Sequence, residues 1–254
     1  MRHFVAAGFA VVVGACQNNG ASNLPVNPGG GGGGGIGMHD DGGVDASDAG
    51  GTQLRVCMLT DPRGLNDCAM TGVAGLMVTL GSGSAAPTAT TADDGSFTMQ
   101  LSSGSFTWSV VDPTGTLIVP TIMPASGGSI IPVITQLAYS SLQTANSVSP
   151  DPSSADVFLR VDAGAVPLQG VSVVSSLPPS PYVAFYDGSS NAKWTDGTTT
   201  GAATGAKGTM WLPDLPTTSG SATITFVTSG DAPQQMVTVP IQPGTITMCF
   251  TDAS

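Results

Sequence analysis

The sequence predicts an all-β protein, with two tandem β-sandwich domains following a disordered N-terminal tether. Three observations lead there. Apolar residues recur with a period of two in short runs, as in Phe97, Met99 and Leu101 and again in Phe106, Trp108 and Val110, which gives a strand one buried face. All 17 acidic residues are Asp and none is Glu, while Gly, Ser, Thr, Val and Pro abound, a composition that favours strands and turns over long helices. Several of the strand signals also occur twice in the same order.

At the N-terminus, Met1-Arg2-His3 and the apolar run Phe4 to Val13 have the charged start and short hydrophobic stretch of an export signal, and the run is too short to span a bilayer. It ends Val13-Gly14-Ala15-Cys16, which resembles the lipobox of bacterial lipoproteins. The resemblance implies a signal peptide over 1–15, with acylated Cys16 as the anchor to the membrane. Gln17, in place of an Asp, implies the outer membrane.

Residues 16–51 hold the glycine run Gly29 to Gly35 and then Asp40, Asp41, Asp45 and Asp48. With few apolar side chains to offset ordering entropy, they are expected to form a disordered tether spanning roughly 30 Å. The EF-hand pattern requires a terminal Glu that is absent here, so no metal site is expected in this segment.

The first domain is expected over 52–146. Its strands are Leu54 to Leu59, Gly75 to Leu80, Ser96 to Leu101 and Phe106 to Val111, with Asp94-Gly95 as a turn. Leu117 to Met123 and Ile130 to Leu137 contain Pro120 and Pro132 and are expected as edge or bulged strands. Tyr139 to Asn146 is expected to form one or two helical turns, and Ser149 to Ser154 a linker.

The second domain, 155–254, repeats the order. Gly170-Val171-Ser172-Val173 stands where Gly75-Leu76-Met77-Val78 stood. Thr204, Gly208, Met210 and Leu212 copy the spacing of Thr91, Gly95, Phe97 and Met99, and Gly220 to Phe226 copies Gly104 to Val110. Lys207 replaces Asp94. Gly75, Val78, Thr91, Asp94, Gly95, Phe97, Gly104, Phe106 and Val110 make the first copy similar to the carboxypeptidase regulatory-like family of transthyretin-like, Ig-like β-sandwiches. That resemblance implies a non-catalytic accessory or surface module and carries over no catalytic residue.

The chemistry available is narrow. The net charge is −11 and the few Lys and Arg residues are scattered, which argues against nucleic acid as a partner. His3 and His39 precede the folded part, so histidine-dependent triads and zinc sites are excluded there. Ser190 to Lys193 matches S-x-x-K but lacks the helix and the partner motifs that make it work. No cofactor and no catalytic residue is expected. Most aspartates lie beside Gly or Pro, where turn chemistry accounts for them.

Export permits disulfides, and the spacing of Cys57 and Cys68 favours that pair, worth roughly 3 kcal/mol as a loop constraint. Cys249 is then left over, either as a partly buried free thiol or in an intermolecular bond. The second domain carries an insertion, Leu177 to Gly201, in which Tyr182, Phe185, Tyr186 and Trp194 lie near Asp187. Aromatic faces beside polar groups suit a glycan or peptide ligand, and the same run can also be an extra strand. The function expected is therefore a non-enzymatic binding or structural module of the cell envelope. The alternatives are an accessory to an envelope enzyme, or a hydrolase that uses paired Asp residues.

Overall fold

The computed structural model describes residues 12–16, 52–101, 106–125, 130–174, 183–188, 194–228 and 234–253. Residues 1–11 and all of the expected tether after Cys16, 17–51, lie outside this set. Among the described residues the elements are β1 (Val12–Ala15), β2 (Thr52–Leu59), β3 (Cys68–Gly72), β4 (Met77–Leu80), β5 (Thr88–Thr90), β6 (Ser96–Met99), β7 (Phe106–Val111), β8 (Thr121–Ala125), β9 (Ile130–Val133), α1 (Gln136–Ala145), β10 (Ser154–Ala163), β11 (Val166–Pro167), β12 (Ser172–Val173), β13 (Phe185–Asp187), β14 (Trp194–Asp196), β15 (Thr209–Pro216), β16 (Ser221–Val227), β17 (Gln235–Pro240) and β18 (Ile246–Asp252). Among the described residues the fold is all-β apart from this one helix.

Three sheets result. The largest has the order β14-β13-β15-β10-β18-β8-β7-β4-β5, with β11 on β10; the others are β3-β2-β6 with β9 on β2, and β1-β17-β16-β12. The large sheet runs through both halves of the chain. They meet where β18 pairs parallel with β8, Ile246 opposite Thr121 and Thr247 opposite Ile122. Each backbone edge thus satisfies the other's N–H and C=O groups.

The duplication is visible in the hydrogen bonds. In the first half the Thr91 hydroxyl accepts from Leu76 N at 2.9 Å and donates to Val73 O; in the second, Thr204 accepts from Val171 N at 2.9 Å and donates to Leu168 O. Gly75 N donates to Thr91 O and Gly170 N to Thr204 O, while Val56 N donates to Gly95 O and Val161 N to Gly208 O. Gly95 and Gly208 both have positive φ, at 79° and 65°.

Periodicity decides the packing. In the first half Phe97, Trp108 and Val110 are buried, with Trp108 edge-on to Phe97 and Phe106. Strand β10 differs, because every residue from Ser154 to Asp162 is buried. One face, with Ala155, Val157, Leu159 and Val161, packs with Ile224, Phe226, Val237 and Val239. Phe158, on the other face, joins the apolar cluster of the first half. A strand covered on both sides suits its parallel pairing with β18.

The helix is longer than the expected turn or two and starts earlier, at Gln136. The reason is local: the Thr135 side chain caps it, accepting from Ala138 N at 3.1 Å. Of the two segments expected as strands with internal prolines, Ile130–Val133 pairs parallel with β2 through Pro132. In the other, β8 begins only after Pro120.

Candidate functional site

The helix brings Gln136, Tyr139, Ser140 and Gln143 onto one face by their three- and four-residue spacing. That face meets Val119 and Pro120, Pro150 to Pro152, and Ser154 and Asp156 with Gly244 and Thr245, which are hydrogen-bonded to them. Together they enclose a cleft of about 370 Å³ at the seam between the halves. Asp156 is its most deeply placed acid, with 4% of its surface exposed.

Asp156 is aimed there by an irregularity in the sheet. The register between β10 and β15 shifts between Ala155 and Val157, so that Asp156 stands opposite a bulge of Pro213 and Asp214 in β15, while its own N–H donates to Thr245 O at 3.0 Å. Its Oδ2 accepts from Trp211 Nε1 at 2.7 Å and from the Tyr139 hydroxyl, and its Oδ1 accepts from Asp214 N at 3.2 Å. Asp214 has a φ of 57°, a left-handed conformation that a short polar side chain tolerates best. The Ser154 hydroxyl bridges Asp151 O and Asp214 Oδ1.

Burial pushes the Asp156 carboxyl above the usual range, and the donors Tyr139 and Trp211 partly oppose that shift. The Tyr139 hydroxyl is raised too, first by burial and then by the neighbouring negative charge of Asp156. Tyr139 therefore keeps its proton and donates it. Further along the same face of β10, Arg160 Nε pairs with Asp162 Oδ1 at 2.8 Å, both side chains being buried.

The aromatic residues singled out from the sequence lie elsewhere. Phe185, Tyr186 and Trp194 sit in β13 and β14, only 3–6% exposed. The rings of Phe185, Trp194 and Phe158 surround Trp211 at centroid distances of 5.0 to 6.0 Å. The Tyr186 hydroxyl accepts from Val173 N at 2.9 Å. A sugar needs a ring face open to solvent, so in place of the expected ligand site these residues form core. Tyr182 lies outside the described residues.

Asp187 has a structural task as well. Its carboxylate, 1% exposed as a residue, accepts from the backbone N–H groups of Gly205, Lys207 and Thr209 at 2.9, 2.6 and 3.0 Å. Burial raises its pKa, and these three donors oppose that shift only in part. A second cavity, about 490 Å³, borders Tyr186 and the segment Gly197 to Ala202. Among the described residues no three His, Cys, Asp or Glu side chains gather as a metal site would need.

All four cysteines are paired. Cys57 and Cys68 form a disulfide across β2 and β3, with a Cα–Cα distance of 5.5 Å. Cys16 is bonded to Cys249, with Cα atoms 5.4 Å apart and a sequence separation of 233. Cys249 is thus neither free nor intermolecularly bonded here, and it is wholly buried. Strand β1 pairs parallel with β17 and delivers Cys16 to it. A sulphur in a disulfide cannot also carry a thioether-linked lipid, so the two fates of Cys16 exclude each other.

The cleft has no local signature in the sequence because its parts are distant in the chain. One signal was available: Asp156 lies between Ala155 and Val157, beside neither Gly nor Pro, so turn chemistry does not account for it.

No protein-family model matches the chain, and no curated protein does. A solved structure, the Bacillus anthracis TIE protein, aligns with 80% of this chain and 34% of its own at 11% identity, with a TM-score of 0.23. The chain spans about a third of that protein's length, and nothing about activity transfers at this level of similarity.

Proposed function

We propose that the chain is an exported, lipid-anchored cell-envelope protein acting as a non-enzymatic binding module, with the seam cleft as its ligand site. One observation carries the choice of binding over catalysis: both carboxylate oxygens of Asp156 are engaged by the protein's own donors from α1 and β15. A general base needs a lone pair directed at its substrate, and a paired-aspartate hydrolase needs one acid free to exchange its proton. Held from both halves, Asp156 instead fixes the wall of a preformed recess of ligand-binding size. The resemblance to carboxypeptidase regulatory-like modules agrees with an accessory role of this kind.

Export and anchoring are supported by the N-terminal residues and by the use of cysteine, since disulfides persist in oxidising compartments. In the anchored form residues 1–15 are removed, β1 is lost, and a lipid takes the sulphur that otherwise bonds Cys249. The wild type is expected in the membrane fraction and Cys16→Ser in the soluble fraction; retention of the variant in the membrane overturns the anchor.

The binding module is tested by mapping backbone amide shifts by NMR against mixtures of peptides and oligosaccharides. Saturable shifts are expected around Gln136 to Gln143 and Gly244–Thr245. They should be abolished by Ser140→Trp, which fills the recess from an exposed helical position. Absence of any such response, or its persistence in the variant, removes the cleft as the binding site.

A further inference from the structure

We propose that the seam cleft selects a cationic hydrogen-bond donor, the ammonium or guanidinium end of a lysine or arginine side chain in an extended peptide; this rests on the cleft being the ligand site. The protons of the lining hydroxyls decide the polarity of the cleft. A hydroxyl has one, and the hydroxyls lining the cleft direct theirs into the protein. Tyr139 donates to Asp156, Ser140 to Leu137 O at 3.1 Å, Ser154 to Asp151 O at 2.8 Å, and Thr245 to Gln242 O at 2.8 Å. Their lone pairs are what remain.

The backbone adds few donors. Pro120, Pro150 and Pro152 have no N–H, while Val119 N, Gly244 N and Thr245 N are spent on Ile134 O, Ser154 O and Gln242 O. Gln136 Nε2 donates to Gly115 O at 2.7 Å, and the Gln143 side chain hydrogen-bonds Tyr139. No Lys, Arg or His lines the cleft.

At the rim stands Asp151, whose Oδ1 accepts from Ser153 N and Ser153 Oγ. The surface offered to a ligand is thus rich in acceptors and carries negative charge. Anions are repelled. A neutral sugar, whose hydroxyls must both donate and accept, finds half of its partners missing. An ammonium has three donors and no acceptor, and a guanidinium five, so either is satisfied by acceptors alone. Its apolar stem suits walls made of three prolines, Val119 and the Tyr139 ring.

The probe is a blocked pentapeptide of alanines with one central lysine, titrated into the full-length protein and followed by amide shifts at the cleft. The comparison peptides carry norleucine, arginine or citrulline at the same position. Lysine and arginine peptides are expected to bind at least tenfold more tightly than their neutral counterparts, and less tightly as salt rises. Asp151→Asn should weaken the charged peptides severalfold and leave the amide spectrum otherwise folded. Equal binding of norleucine and lysine peptides, or a neutral oligosaccharide mapping to the cleft in their place, overturns the charge selectivity and leaves the cleft as a binding site. If no peptide or oligosaccharide shifts the cleft amides, both proposals fall.

Discussion

The turn at Thr91 to Ser96 and the turn at Thr204 to Thr209 solve one folding problem twice, with different carboxylates. In each, a threonine hydroxyl ties two strands and a left-handed glycine accepts from a valine N–H. The first turn then caps itself, for Asp94 Oδ1 accepts from Ser96 N at 2.9 Å. The second has Lys207 in place of Asp94, and its carboxylate arrives from outside, on β13 of the inserted hairpin. Asp187 accepts from three of that turn's N–H groups. The insertion is therefore structural: it replaces a local cap with a buried one and frees position 207. The Lys207 ammonium reaches across to pair with Asp67 of the first half.

Asp187→Ala leaves three backbone donors of a buried turn without an acceptor and is expected to cost about 3 kcal/mol in chemical denaturation. Asp94→Ala, in an exposed turn, should change the midpoint far less. Equal losses would mean that the two carboxylates do the same work. A finer test compares the glycines. A Cβ at Gly95 would stand 2.3 Å from Val56 O, and one at Gly208 2.7 Å from Val161 O, each at positive φ. Either Gly→Ala change is expected to cost about 2 kcal/mol, with Gly95 the more sensitive because its clash is closer. Tolerance at one site and collapse at the other would dissolve the equivalence of the turns.

Much of the fold was legible in short stretches. The alternation of Phe97, Met99, Phe106 and Trp108, the glycines that permit left-handed turns, and the recurrence of Thr91 as Thr204 each depend on residues a few positions apart. The site was not legible in this way. Phe185, Tyr186 and Trp194 have the composition of a binding surface, and only the pairing of β13 with β15 turns them into core. Asp156 gave a weak hint, but Tyr139, Trp211 and Thr245 had to be brought to it from three other segments.

The all-β class, the turn chemistry and the doubled order of strands follow from the residue pattern, because periodicity and backbone preference act locally. Long-range packing sets the rest: the halves share one sheet through β18 and β8, Cys16 meets Cys249, and Asp187 stands in for Asp94. Each is a choice of partner between groups far apart in the chain. Such a choice is fixed by which edges, thiols and carboxylates the packed core leaves within reach, and short-range residue patterns do not contain it.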